Sequence, residues 1–529
     1  MSSSQKKLLS FTNFNRGINT TSSFDELEST ELVTAVNIDL KARGGYTQRK
    51  GCSIYKTIED DEEILESPES PKSPESPESP VSRLIEFPVS RLIDYPGNPL
   101  LVINRTLRDF DSTPITLLLN SNDVDYEFFT NEKLYMLDGT EYWVYDGITC
   151  QPVTPADGSD LAPIKRCTRL IQRGQRMFAL GDPQNPNYLY FSEIGDPTNF
   201  KPSSIVKAVT DDSDVLKGLS LFSNSLLAFK EDEIFRWSGW DPSSDVQFNP
   251  LDTGHGTVAP DTICVSEDFL IFADSDGVFA LTTIETQLIK SYNITKNIEE
   301  IWKTLTNKSK MKAIVYEGNY YLACCNDGSG VNNLVLKASL GMAYNGSVNE
   351  GVSSLLFPWV TYTGWKVSDW IIIDNELYFG SSVNGIIYKA FDGLNDVDQP
   401  IYAEATHYLK LEDAVTRKKV KRLFLVALQD EEHRSTVRLD IEAGYATFHK
   451  LVSLDESGAW DVGDWDEVVW DWVDTVIKEI RIGKKLTRIR LKISHEAVDE
   501  VMTIYGFAAF YKVKKPRGSR SGVEDIDEI

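Results

Sequence analysis

The 529-residue chain is sparing with the side chains that most enzyme and metal chemistry uses. It has six cysteines: Cys52, Cys150, Cys167, Cys264, Cys324 and Cys325. They are scattered and form no Cys-x-x-Cys pair, which argues against a zinc site or a disulfide framework and for buried, reduced thiols. Its five histidines, His255, His407, His433, His449 and His495, show no ligand-like spacing. No apolar run reaches the roughly 18 residues of a membrane span. The opening MSSSQKKLLSFTNF has no apolar core of an export signal. No P-loop occurs, and no Gly-x-Gly-x-x-Gly turn follows a strand and opens a helix. No Gly-x-Ser-x-Gly elbow supplies a hydrolase nucleophile. No cofactor and no resident metal are expected, and no enzyme activity.

Positive charge is the other shortage. Lys and Arg number 54 against 80 Asp and Glu, a formal net charge of −26. Such a chain repels phosphate at long range, which excludes a DNA binder held mainly by phosphate contacts. It does not exclude a surface that DNA must pass without sticking. With 41% hydrophobic, 11% aromatic and 25% charged residues the composition is globular, and the length allows about two to four domains.

Residues 1–58 read as ordered. Asp25–Asn37 (DELESTELVTAVN) is rich in helix formers, with Leu27, Leu32, Val33 and Val36 as a partial apolar stripe. Gly44-Gly45 then divides two short strand-like pieces, a hairpin signal. Residues 59–80 carry nine acids, one lysine and a Ser-Pro beat. Proline removes backbone donors and the charges repel, so 59–97 is expected to be an extended insertion or linker. A duplication closes it, VSRLIEFP at Val81–Pro88 and VSRLIDYP at Val89–Pro96, of which the second copy is expected to start the next strand.

From 98 to 400, short apolar runs alternate with turn signals: PLLVIN, KLYMLD, YWVYDG, MFALGD, YLYFSE, FLIFADSDGVFAL. Asp-Gly pairs begin at Asp138, Asp146, Asp157, Asp276, Asp327 and Asp392, supplying the positive φ of tight turns. One helix interrupts, with Ile298, Ile301, Trp302 and Leu305 at helical spacing and Asn297 as its expected N-cap. Strand pairs recur every 40–55 residues or so. That period fits propeller blades better than sandwich strands spaced 8–12 apart, and the length gives about six blades. Residues 401–515 read as a β-sandwich-like block. Its strands are expected at Tyr402–Leu411, Lys421–Gln429, Thr436–Tyr445, Ile477–Ile482, Thr487–Ser494 and Thr503–Tyr511. RIRLKIS alternates strictly, with Ile489, Leu491 and Ile493 inward. Residues 516–529 are expected to be a flexible tail. The fold class is all-β.

Few clusters suggest chemistry. Asp274, Asp276 and Gly277 spell Asp-x-Asp-Gly, but no carboxylate follows at the spacing of a calcium loop, and a hairpin turn explains them. Trp460, Trp465, Trp470 and Trp472 stand among Asp461, Asp464, Asp466, Asp471 and Asp474. They suit an interface or packing cluster, with a sugar-binding platform as the alternative. Lys512, Lys514, Lys515, Arg517 and Arg520 form a basic strip that is either a solvated tail or a contact for DNA or an acidic partner.

Several segments resemble one known family. Asn187–Phe200 (NYLYFSEIGDPTNF) is similar to the aromatic-x-Ser-x-x-Gly-Asp-Pro-Thr-x-Phe segment of the tail nozzle, or tail tubular, proteins of short-tailed bacteriophages. Relatives of these proteins close the head and stabilise packaged DNA. LLAFKEDEIFRWSG (Leu226–Gly239), GHGTVAPDTICVSEDFLIFADSDGVFAL (Gly254–Leu281) and ELYFGSSVNGIIYKAFDG (Glu376–Gly393) resemble successive blades. FNRGINTTSS (Phe14–Ser23) with RGGYTQRKG (Arg43–Gly51) resembles the family's opening, and TIYGFAAFYKVK (Thr503–Lys514) its closing strand. The Ser-Pro insertion departs from the pattern.

The resemblance implies a β-propeller plus a platform built jointly from N- and C-terminal segments. It implies a virion structural protein, made in the host cytoplasm and placed in the tail of a podovirus. Copies would form a ring, a homohexamer, on the head–tail adaptor below the portal and carry tail fibre, tailspike or needle proteins. Genomic double-stranded DNA would be retained by that ring and then ejected through it without sequence-specific binding. Arg488, Arg490 and Lys492, on one strand face, would be exposed charge or ion-pair partners of a neighbouring subunit. The alternatives are a carbohydrate- or receptor-binding propeller at the tail tip, or a propeller glycoside hydrolase.

Overall fold

The computed structural model describes residues 6–513 apart from 24–25, 61–82, 85–86, 112–113, 209–213, 239–246, 252–253, 285–287, 346–354, 412–417, 429–434, 444–445, 455–474 and 487. The chain divides into two compact units. One comprises Cys52–Leu356 and Thr363–Asp392; the other comprises Met1–Gly51, Phe357–Tyr362 and Gly393–Ile529.

The first unit is a β-propeller. Seven antiparallel meanders follow one another, and their first strands are Val89–Ile93, Asp125–Phe128, Arg169–Arg173, Gly218–Phe222, Ala259–Val265, Lys312–Tyr316 and Val367–Ile373. We number the blades 1 to 7 in that order. The first strands pack side by side from blade 2 through blade 7 and on to blade 1. Six sheets are four-stranded, and blade 6 adds the meander Lys312–Tyr316, Asn319–Cys324, Leu334–Ser339, which brings the expected count of about six to seven. The fourth strand of blade 7 comes from the other end of the unit. Cys52–Thr57 pairs antiparallel with Ile386–Ala390, setting Tyr388 opposite Ile54. This clasp closes the ring, so that no blade is left with an open apolar face.

The strand patterns explain the packing. In blade 2, Leu134 and Met136 join the cluster shared with blade 1, while Tyr135 and Leu137 join the cluster shared with blade 3. In blade 4, Leu226 and Ala228 face blade 3, while Leu227 and Phe229 face blade 5. Both faces of each inner strand are covered, which is why LYML and LLAF read as continuous apolar runs rather than alternating ones. Blade 1 begins at Val89, within the segment expected to be linker, because the second VSRLI copy forms its first strand. The unit's last segment ends at Asp392, not at 400.

The second unit is a two-sheet sandwich. One sheet runs Ile38–Leu40, Tyr46–Gln48, Thr503–Val513, Lys418–Leu428, Thr475–Leu486, with Lys6–Phe11 also paired to Thr503–Val513. The other runs Trp359–Thr363, Leu32–Val36, Ala403–Lys410, Arg488–His495, Thr436–Ala443, Ala446–Ser453. Ile489, Leu491 and Ile493 are fully buried, as their alternation requires. Between the sheets the Tyr46 hydroxyl meets His407 Nε2 at 2.9 Å, and Phe14 and Phe507 pack edge-on against the same imidazole. Arg49, 1% exposed, fixes the third chain segment. Its guanidinium grips the Asp396 carboxylate at 2.8 and 2.6 Å, donates to Asn37 Oδ1 at 2.9 Å, and lies over the Tyr362 ring.

Two local expectations need correction. The described part of the Asp25–Asn37 stretch, residues 26–37, is not a helix: Leu32–Val36 is a strand. Its β-branched Val33, Thr34 and Val36 favour the pleat, and pairing with Ala403–Lys410 outweighs the helix formers before it. The helix near Ile298 is present, with a 3₁₀ turn at Lys296–Ile298 leading into Glu299–Thr304. Asn297 does not cap it: it lies inside the 3₁₀ turn, whose N-cap is Thr295, and Ile298 is the N-cap of Glu299–Thr304, while the Asn297 amide donates to the Tyr344 hydroxyl at 2.9 Å. The strand Ala446–Ser453 was not expected, since His449 and Lys450 break its apolar alternation.

Candidate functional site: a charged pin at the propeller centre

The first strand of a propeller blade presents its edge to the central channel. In this chain six of the seven first strands place one charged side chain there, and their signs alternate along the sequence from Arg91 to Asp369, with only blade 4 uncharged between Arg169 and Asp261. Arg91 of blade 1 lies 3.0 Å from Asp261 of blade 5, 3.5 Å from Asp125 of blade 2 and 3.7 Å from Asp369 of blade 7. Arg169 of blade 3 lies 3.6 Å from Asp261 and 3.9 Å from Asp125. Lys312 of blade 6 completes the set at 2.7 Å from Asp261. Two carboxylates also accept backbone donors: Asp125 from Leu170 N–H at 2.7 Å, and Asp369 from Leu92 N–H at 2.9 Å. Arg91, Asp125, Arg169, Asp261 and Asp369 line a cavity of about 250 Å³, to which blade 4 contributes Leu219 and blade 6 Ala313.

Burial and charge compete at each group. Burial alone would raise the Asp261 carboxyl, but Lys312, Arg91 and Arg169 overcome it and hold it well below the usual range. At Asp125 burial outweighs Arg169 and Arg91, and the carboxyl is raised. Burial lowers and the three aspartates raise Arg91, leaving it firmly cationic. Glu127, two residues along from Asp125, is pushed up to about 8 by burial and by the Asp125 charge. Three acids and three bases therefore hold one another by ion pairs that cross the ring. None of these six residues was singled out from sequence. The signal available was a single charge inside the first apolar strand of each repeat, visible once the repeats are aligned.

The residues expected to be functional lie elsewhere. Trp460, Trp465, Trp470 and Trp472 are outside the described residues, as are Lys514, Lys515 and Arg517. Arg488 stands opposite Lys410 in the register. Arg490 is 3.6 Å from Glu442 and Lys492 2.6 Å from Glu404, so both find carboxylates within the chain, where a neighbouring subunit was one expectation. Lys512 is in the closing strand Thr503–Val513. Asp274 sits in a hairpin turn, its N–H donating to the Gly277 carbonyl at 2.8 Å and its carboxylate 3.0 Å from His255 Nδ1.

No protein-family profile matches the sequence, and no curated protein does. Among solved structures the chain is similar to the Pan2 WD40 domain of Neurospora crassa, at 9% identity over 59% of this chain and 91% of that one, with a TM-score of 0.33. It is also similar to an exo-β-1,3-galactanase of Phanerochaete chrysosporium, at 10% identity over 64% of this chain and 94% of that one, with a TM-score of 0.21. Likenesses this distant say nothing about activity. The class of protein is set by the sheets themselves: an all-β propeller carrying a sandwich assembled from both ends of the chain. No helix among the described residues is long and apolar enough to cross a membrane.

Proposed function

We propose that the chain is a structural component of a bacteriophage tail nozzle, a ring below the portal and adaptor through which the genome leaves. The observation that carries this reading is the discontinuous sandwich. Met1–Gly51, Phe357–Tyr362 and Gly393–Ile529 make one unit, and the propeller is inserted between them. The resemblance implies a platform built jointly from N- and C-terminal segments, and a unit of this composition supports that reading. A net charge of −26 suits a wall past which a polyanion slides, since a basic wall would hold DNA by counterion release at each phosphate. The propeller centre supports a scaffold over a glycoside hydrolase. Hydrolysis needs an acid and a base poised on either side of a sugar, whereas Asp125, Asp261 and Asp369 are tied to Arg91, Arg169 and Lys312.

The test is immunogold labelling, with an antibody to this chain, of intact particles from the source of the sequence. Label on the stalk below one capsid vertex is expected. Particles without label there would sink the reading. Glycan-specific binding by the isolated chain would favour the receptor-binding alternative.

A further inference from the structure

Among the described residues, one face of the sandwich is left uncovered. In the sheet containing Thr503–Val513, residues facing away from the core fall into rows across the strands. One row is Lys512, Lys419 and Lys485, each opposite the next, with Lys6 opposite Lys512 in the register. The next is Leu8, Phe510, Arg422 and Arg481. Then come Ala508, Phe424 and Glu479, and last Val426 and Ile477.

Like charges directly opposite on neighbouring strands destabilise a sheet. Among the described residues no carboxylate is paired with Lys419, Lys485 or Lys512; the one acid of the face, Glu479, is taken by Arg422 at 3.0 Å and Arg481 at 3.3 Å. The apolar members are open to solvent as well, with Leu8 61% and Ile477 64% exposed. The isolated chain thus bears two costs on one face, repulsion along the lysine row and exposed apolar surface beside it. Both are relieved by a partner with an apolar centre and an acidic margin.

We infer that this face docks a second copy of the chain, and that Lys419, Lys485 and Lys512 read the acidic margin of that copy. The occupant follows from charge. Lys419, Lys485, Lys512, Arg422 and Arg481 against Glu479 leave this face net positive in a chain of net −26, so the remainder of each copy carries the complementary excess of acid. Duplex DNA fits less well, since its backbone offers nothing apolar to Leu8, Phe424 and Ile477. The inference rests on the ring-forming reading above and names the surface that makes the ring.

Sedimentation of the full chain tests it, with wild type compared to the triple reversal K419E/K485E/K512E at about 50 mM and about 500 mM salt. Wild type is expected to form oligomers that weaken with salt. The triple variant is expected to self-associate at least about 100-fold more weakly, with a monomer melting temperature that does not fall, because the row no longer repels itself. If the variant unfolds, Phe424→Ser offers a second probe, and loss of oligomer with the salt dependence retained is expected. Oligomers unchanged in both folded variants overturn the surface while leaving the nozzle reading standing. A wild-type chain that is monomeric at every concentration overturns the second copy as occupant, and particle labelling then judges the nozzle reading separately. A 30-base-pair duplex that binds wild type, and not the triple variant, overturns it in favour of a nucleic-acid surface.

Discussion

Lys312 Nζ lies 2.7 Å from Asp261 Oδ2, joining the first strands of blades 6 and 5, and the other oxygen of the same carboxylate faces Arg91 of blade 1 at 3.0 Å. One aspartate thereby ties adjacent blades and reaches across the ring. A buried charge held this way adds modestly to stability while it is paired and costs heavily once its partner is gone.

Asp261→Asn leaves Lys312, Arg91 and Arg169 short of their shared anion. The expected loss is about 3–5 kcal/mol, read from the urea midpoint of the propeller. A midpoint within about 0.5 kcal/mol of wild type would show that water or the remaining aspartates compensate.

Glu127 gives the propeller a pH dependence of definite sign. Its carboxyl is raised from 4.5 to about 8 on folding, so the folded state holds the proton more tightly than the unfolded chain. Stability is full below pH 4.5, declines as pH rises from there to about 8, and is level above. Glu127→Gln is expected to be neutral at low pH and stabilising at pH 9 by about 1–3 kcal/mol after allowance for solvent screening. Parallel stability curves for the two proteins would refute the shift.

The sandwich responds to acid in the opposite way. Burial lowers His407 from 6.5 to about 3, so the unfolded chain takes up a proton that the folded chain refuses. Stability is lost as pH falls from 6.5 towards 3. Replacing both members of the buried pair, as Y46F/H407F, keeps the ring packing and removes both polar groups. Near-neutral stability at pH 7 and a gain over wild type at pH 5 are expected by calorimetry; a double mutant that is equally acid-sensitive would refute the assignment.

Gly17 lies in the FNRGIN stretch with φ +70°, and a Cβ there would come within 2.6 Å of the Trp359 backbone nitrogen. Gly17→Ala therefore meets both backbone strain and main-chain contact. Destabilisation of the sandwich by more than about 1 kcal/mol is expected, measured as a lower melting transition. An unchanged transition would show that the 357–362 segment can move away.

Much of the fold was written locally. Runs such as LYML and LLAF announced strands, though not that both their faces would be covered, and Ile489, Leu491 and Ile493 announced a sheet with one wet side. The Asp138-Gly139 and Gly44-Gly45 turns lie where hairpins were read. The strand Leu32–Val36 was misread because its neighbours in space are some 370 residues away, and helix propensity near Asp25 spoke louder within the local window. The axial cluster was illegible for a related reason. Arg91, Asp125, Arg169, Asp261, Lys312 and Asp369 are each an ordinary charge in an ordinary strand until closure of the ring brings them within ion-pair distance.

By itself the sequence determined the strand content, the turns and the acidity, because these depend on side-chain period, glycine and proline chemistry and summed charge. Tertiary structure alone decided that there are seven blades, that Cys52–Thr57 clasps the last of them, and which acids are neutralised and which lysines are left facing one another. Electrostatic energy depends on distance in space, and distances between residues hundreds of positions apart exist only once the chain has closed on itself.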